Sequence, residues 1–350
     1  MTEFAVSRID VPEDLDDFNE WAMANNWGDG LPLVPPTVER VERMARGVEL
    51  SPDFVIGTVP LSYADASLEK VAINAVLAGC EPRHMPILVA AVEAMLKPEV
   101  NLYGAQSTTH PCAMMVMVNG PAALVAGLHS GAGAFGPGFR SNATIGRAIR
   151  LILQNIGGAR ASDTTDRATQ GGPAKFSFCF AENEADSPWP PHHVDLGFDA
   201  GESAVTVVAA EGPHNIENHA RQDPAGILFS VAHTIATVGN NNAYIRNSDY
   251  FVAFGPEHAK ILADGGFTKR DVQEYMYERA RIPYRLWRLG GLVGIFPQPR
   301  YMDVADDDFM VPMSDTPDDV HVCVAGGVGK HSSFIPTVGI GRSATVRVNP

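Results

Sequence analysis

The sequence predicts an α/β fold in which strand, Gly-Pro turn and helix units surround a largely parallel or mixed sheet. Three observations carry this. A run of apolar or β-branched residues, then Gly-Pro or Gly-Gly, then a helix-like segment recurs at 114–128 (MMVMVNGPAALVAGL), 204–219 (AVTVVAAEGPHNIENH), 250–266 (YFVAFGPEHAKILADGG) and 320–334 (VHVCVAGGVGKHSSF). Strands that feed helices through tight turns are how α/β sheets are assembled. The likeness between 114–128 and 250–266 suggests an internal duplication, and 350 residues can bury a core as one large domain or two smaller ones. The expected division is an N-terminal helical strap (1–48), a first α/β half with a Gly-rich loop (49–200) and a second α/β half (201–350).

In chain order, PEDLDDFNEWAMANN (12–26) opens with a proline and acids and spaces Leu15, Phe18, Trp21 and Ala22 along one helical face. WGDGLPLVPPT (27–37) is too rich in Gly and Pro for helix or strand. It reads as an ordered strap, either a rigid connector or a lid carrying Trp27 and Asp29, and leads to Thr37, which caps a helix running through Arg46. Residues 55–59 read as a strand and 67–78 as a helix stopped by Gly79; EPRHMP then turns into an apolar helix at 86–96. Asn74 and Glu93 stand out on these helices as exposed or capped polar positions.

The segment GLHSGAGAFGPGFRSNATIGRAIRLILQN (127–155) organises the middle of the chain. Its glycines permit positive φ and close approach of a ligand to the backbone. Ser141 or Asn142 can cap the helix that follows, whose first amides favour an anion, and Arg140 adds a fork suited to carboxylate or phosphate. The expected anion or substrate set is Gly136, Gly138, Arg140, Ser141, Asn142, Asn183, Lys330 and His331. The alternative is a close-packed glycine turn with a capped helix. GAGAFG (131–136) has the letters of a dinucleotide fingerprint but no strand directly before it, and Pro137 interrupts the approach to the helix. GGVGKHSS (326–333) lacks the four-residue gap of a nucleotide-triphosphate loop.

Bulk charge excludes some partners. Lys plus Arg number 26 and Asp plus Glu 41, a formal charge of −15 that discourages binding to nucleic acid or an anionic membrane surface. Cys80, Cys112, Cys179 and Cys323 have no metal-ligand or redox spacing and read as reduced, mostly buried thiols of a cytoplasmic protein. The start of the chain is acidic and lacks an apolar signal region, and no later run of about 20 apolar residues offers a membrane span. The apolar segment GIFPQPRYM (294–302) is a place where copies could join as a homo-oligomer.

Residues able to do chemistry concentrate between 176 and 219. Glu182, His193 and His214, with His110 from QSTTHPCAMM, form the expected catalytic set; a divalent metal, if one serves as cofactor, would draw on His192, His193, His214, Glu217 and His219. Histidine with carboxylate can bind such a metal or share acid-base work near neutral pH. If the strands are parallel, the turns after them would also crowd Asn119, His214, Glu217, Glu257, His258, Lys330 and His331 along one sheet edge. Cys112, entering a strand beside His110, is either a nucleophile or an inert core thiol.

INAVLAGCEPRHMPILVAAVEAM, FGPGFRSNATIGRAIRL, FCFAENEADSPWPPHHV and VAGGVGKHSSFIP resemble a bacterial family found with, or fused to, small proteins bearing a Sec/Cys-Gly-Ser-Cys (UGSC) motif. The resemblance runs from about Trp27 to the C-terminus, and no such motif occurs in this chain. It implies that a reactive thiol or selenol would come from a second polypeptide. The functional expectation is an enzyme or enzyme subunit acting on a small carboxylate-bearing molecule by lyase, hydratase or hydrolase chemistry. The alternatives are the substrate-binding subunit of a thiol- or selenol-dependent reductase and a non-catalytic small-molecule binding protein.

Overall fold

Two four-stranded mixed sheets built to one plan organise the computed structural model, which describes residues 6–162, 164–244, 248–290 and 306–349. The strands are β1 (Val55–Val59), β2 (Ala64–Ser67), β3 (Ala113–Asn119), β4 (Cys179–Ala181), β5 (Ala204–Ala210), β6 (His214–Glu217), β7 (Tyr250–Phe254), β8 (Arg281–Pro283), β9 (Met310–Pro312), β10 (Val320–Val324), β11 (His331–Ile335) and β12 (Ala344–Arg347). One sheet has the order β12-β5-β3-β4 and the other β6-β11-β7-β10; β1 with β2 and β8 with β9 form separate hairpin-like pairs. In each large sheet only one pair is parallel, β3 with β4 and β7 with β10. The remaining neighbours are antiparallel.

The matching orders give the duplication suggested by the recurring turns a topological form, with one exchange. β5 runs on into β6, which edges the second sheet, while β11 runs on into β12, which edges the first. The two long segments lie antiparallel to each other through the pairs Phe334↔His214, Ala210↔Thr337 and Ala344↔Val207. A cut between residues 200 and 201 therefore separates β5 and β12 from β3, the strand that β5 pairs with.

Side-chain alternation along the strands builds three cores. Met114, Val116 and Val118 of β3 face one helical layer, whereas Met115 and Met117 join Phe180, Val208, Phe251, Ala253, Cys323 and Ile335 in a core shared by both sheets. Val252 and Phe254 of β7 face the other helical layer. The result is helix, sheet, sheet, helix in four layers, which explains why every residue of β3, β5 and β7 is buried.

The helices are α1 (Leu15–Ala24), α2 (Val38–Ala45), α3 (Leu68–Ala78), α4 (Met85–Met95), α5 (Leu102–Ser107), α6 (Pro121–Ala126), α7 (Arg140–Asn155), α8 (His192–Asp195), α9 (Pro224–Ile235), α10 (Asn241–Tyr244), α11 (Pro256–Asp264), α12 (Lys269–Arg279) and α13 (Tyr284–Leu289). Asp14, Thr37 and Ser67 cap α1, α2 and α3, and Gly79 ends α3 in the left-handed region at φ 86°. No helix among the described residues is long and apolar enough to cross a membrane. The segment 294–302 lies outside the described residues.

α7 departs from its expected start. Phe139 occupies the cap position, and Ser141 and Asn142 lie inside the first turn, both buried. Their side chains serve the loop instead. Asn142 Oδ1 accepts from the His129 amide, its Nδ2 donates to the carbonyls of His129 and Ala134, and Ser141 Oγ donates to the Ala126 carbonyl. Farther along α7, Arg147, Gln154 and Asn155 donate to Asp29 and to carbonyls of the 26–32 strap. Asn155 also donates to Asn74, which is buried rather than exposed.

Candidate functional site

Glu182 lies just past β4, where the two sheets meet. Its carboxylate is inaccessible to solvent and accepts from Asn119 Nδ2 (2.6 Å), the His192 amide (2.7 Å) and the Val324 amide (3.3 Å), with Lys269 Nζ 3.9 Å away. Burial raises the Glu182 carboxyl above the ordinary range against the charge of Lys269 and these hydrogen bonds. Next to it, Asn183 Nδ2 donates to Asp186 (2.9 Å) and to the Gly326 carbonyl (3.0 Å). Both residues tie β4 to β10, so the geometry makes them a seam between sheets.

The expected anion set does not converge. Arg140 donates to Glu81 (2.9 Å) and, through Nε and Nη2, to the Gly79 carbonyl that ends α3. Lys330 and His331 sit at the start of β11, with Lys330 Nζ 3.5 Å from the His219 carbonyl and His331 bonded to Asn215 at 3.0 Å. Gly136 and Gly138 turn at φ 90° and 122° with open space where a side chain would stand. The glycines let the loop fold over and deliver the ring of Phe135, which lies edge-on to Phe180 at 4.8 Å.

The histidines separate as well. His192 and His193 are buried in α8, where burial, aided by the charges of His321 and Lys269, lowers the His192 imidazole well below its ordinary value. His214, Glu217 and His219 lie on or after β6, with β11 between that strand and β7, and His219 bonds Glu217 at 2.6 Å in an exposed pair. Among the described residues, no three His, Cys, Asp or Glu side chains are arranged to hold a metal ion. The one-edge arrangement holds in part: the register sets His331 opposite Glu217 and Ser332 opposite Phe254, and His258 bonds Ser332 and the Asn218 carbonyl, so Glu217, His258, Lys330 and His331 share one end of the second sheet, while His214 lies at the other end of β6. His258 is buried and bonded to Ser332 at 2.8 Å. Asp249, His321 and Ser343 have the composition of a nucleophilic triad, but Asp249 and Ser343 both approach Nε2 of the imidazole, so it cannot relay between them.

His110 does find a partner. Its Nδ1 accepts from the Cys112 amide (3.1 Å), which leaves the proton of the neutral ring on Nε2, and Nε2 donates to Glu211 Oε1 at 2.9 Å. The register Ala113↔Ala210 between β3 and β5 brings these residues together across 101 positions of sequence. Glu211 stands where β5 crosses towards β6, its amide bonded to the Pro336 carbonyl at 2.8 Å. It lines two clefts of about 370 and 310 Å³, the first walled by Phe135, Phe178, Ser177 and the 171–173 backbone, the second by His214, Asn240 and Phe334. These are sizes suited to small molecules.

Glu211 was not singled out in the sequence. The signal was there in AAEGP, a carboxylate ending an apolar strand before a Gly-Pro turn, but nothing local pairs it with His110. Cys112, by contrast, is a core thiol: burial pushes it up to about 12, and its Sγ faces the Ala105 carbonyl. No protein-family profile, curated protein or solved structure matches this chain.

Proposed function

We propose that this chain is an enzyme that moves a proton on a small carboxylate-bearing molecule, in a lyase, hydratase or hydrolase reaction. Glu211 is the acid-base group and His110 its positioning residue. The observation that carries this reading is the His110–Glu211 pair, half-open to two clefts, with the imidazole N–H fixed on one carboxylate oxygen. With Nδ1 held by a backbone amide and Nε2 donating, the ring has no free lone pair, so the carboxylate is the group that can accept a proton. A panel of small carboxylic acids incubated with the protein in D₂O tests this by NMR. Deuterium should enter at carbon in at least one compound and stop doing so in Glu211→Gln; exchange that persists unchanged in the variant overturns the assignment.

One observation favours a second reading, the substrate-binding subunit of a thiol- or selenol-dependent reductase whose UGSC-type partner protein supplies the reactive group. All four cysteines are buried, and burial raises each thiol, Cys80 to about 12 among them. A thiol reaction would need a nucleophile from outside the chain. Turnover by the isolated chain with no thiol present would overturn this reading. Either reading places the protein in a reducing, cytoplasmic setting, where unpaired cysteines remain thiols.

A further inference from the structure

A larger cleft, about 640 Å³, adjoins the one beside Glu211 and shares with it the backbone of Gly171, Gly172 and Pro173. The strap residues Gly28 to Gly30 form part of its rim, α7 contributes Arg150, the segment after α7 contributes Arg160 and Lys175, and Met23 and Phe176 add apolar surface. Its charges do not cancel. Asp29 is already matched by Arg147, which grips it from α7. Asp166 is buried and shared between Arg150 at 3.0 Å and Lys175 at 2.8 Å, so two cations face one carboxylate. Arg160 is exposed, and its Nε donates to the Asn26 carbonyl at 3.4 Å, a neutral partner. The cleft thus concentrates positive charge on a chain whose formal charge is −15. Guanidinium and ammonium groups around a concave, partly apolar wall match a carboxylate or phosphate.

We propose that this cleft holds the anionic group, a carboxylate or a phosphate, of the small molecule whose reacting end lies across the 171–173 segment at Glu211. The inference rests on the proton-transfer reading, and it makes the substrate an elongated molecule with its anion at one end and its labile bond or proton at the other. Arg160 is the residue that recognises the anion, because Arg150 and Lys175 are engaged with Asp166.

Calorimetric titration of the full chain with inorganic phosphate and with glutarate tests it, since neither probe needs to react. Saturable binding near one equivalent is expected. Arg160→Ala should weaken it by about 10-fold or more, the loss of one charge-assisted contact, while Arg160→Lys should restore most of it. Arg221→Ala, whose residue is exposed and paired with Asp223 elsewhere, should leave it unchanged and so account for the effect of net charge. No saturable binding by the native chain, or equal binding by Arg160→Ala, overturns the proposal. Tighter binding of phosphate identifies a phosphate ester as the substrate class, and tighter binding of glutarate a carboxylate. The two readings fail separately: Arg160-dependent binding together with deuterium exchange indifferent to Glu211→Gln overturns the acid-base assignment alone, and intact exchange without Arg160-dependent binding overturns the anion cleft alone.

Discussion

Arg147 of α7 grips Asp29 of the N-terminal strap through two N–H···O bonds of 2.8 Å, Nε to Oδ2 and Nη2 to Oδ1, with the aspartate side chain only 2% exposed. The same guanidinium donates to the carbonyls of Leu31 and Pro32. A planar fork fits this arrangement and an ammonium does not. Arg147→Ala should cost about 3–5 kcal/mol in urea unfolding, because it leaves a buried carboxylate uncompensated. Arg147→Lys should recover only part of that. Burial works to raise the Asp29 carboxyl, but Arg147 outweighs it and holds it below the ordinary value. Its contribution to stability is therefore present above the unfolded-state pKa and is lost as pH falls through the lower folded value.

For Glu211 the expected signature is catalytic with the fold intact. Glu211→Gln should keep the unfolding midpoint of the native chain while lowering exchange or turnover by about 10²–10⁴-fold. His110→Ala should lower the rate less, and His110→Asn less still, if the imidazole acts by orienting the carboxylate. A His110→Ala rate as low as that of Glu211→Gln would make the ring itself the proton carrier.

Glu182 should behave in the opposite way. Its oxygens accept from three N–H donors at the seam, so an amide in their place turns one acceptor into a donor facing a donor. Glu182→Gln should cost about 2 kcal/mol or more, visible as a lower urea midpoint, with the activity of the remaining folded protein retained. Normal stability with abolished activity would return Glu182 to the catalytic set.

Acid should weaken the fold through a buried histidine. His84 is fully buried between the Glu81 amide and Ser141, and burial lowers its imidazole to about 4. The unfolded chain takes up a proton near pH 6.5, whereas the folded chain resists until about pH 4. Stability is therefore highest above pH 6.5 and declines through this window, by about 2 kcal/mol between pH 6.5 and 5. Urea midpoints across pH 4.5–7 should fall less steeply in His84→Gln, while the lowered His192 keeps part of the slope.

Thiol titration checks the cysteines. Native protein should react with an aromatic disulfide reagent at well below one equivalent, and denatured protein at four, given four buried thiols raised by burial. A fast-reacting native thiol would point to a nucleophile within the chain.

By itself the sequence determined what depends on neighbours a few positions apart. The cap at Thr37, the stop at Gly79 and the buried runs that became β3, β5, β7 and β10 follow from local hydrogen bonding and hydrophobic period. The importance of 127–155 was legible too, although its polar residues fasten the strap and the loop rather than a ligand. Strand pairing was decided only in three dimensions. That β5 lies between β12 and β3, and that the two sheets exchange their edge strands, depends on pairings such as Val116↔Val207 and Ala344↔Val207, between residues far apart in the sequence. The site follows the same rule. Histidines close in sequence parted because α8 packs beside β10 and β6 lies at the opposite edge of that sheet, while His110 and Glu211 met because an antiparallel register set them side by side.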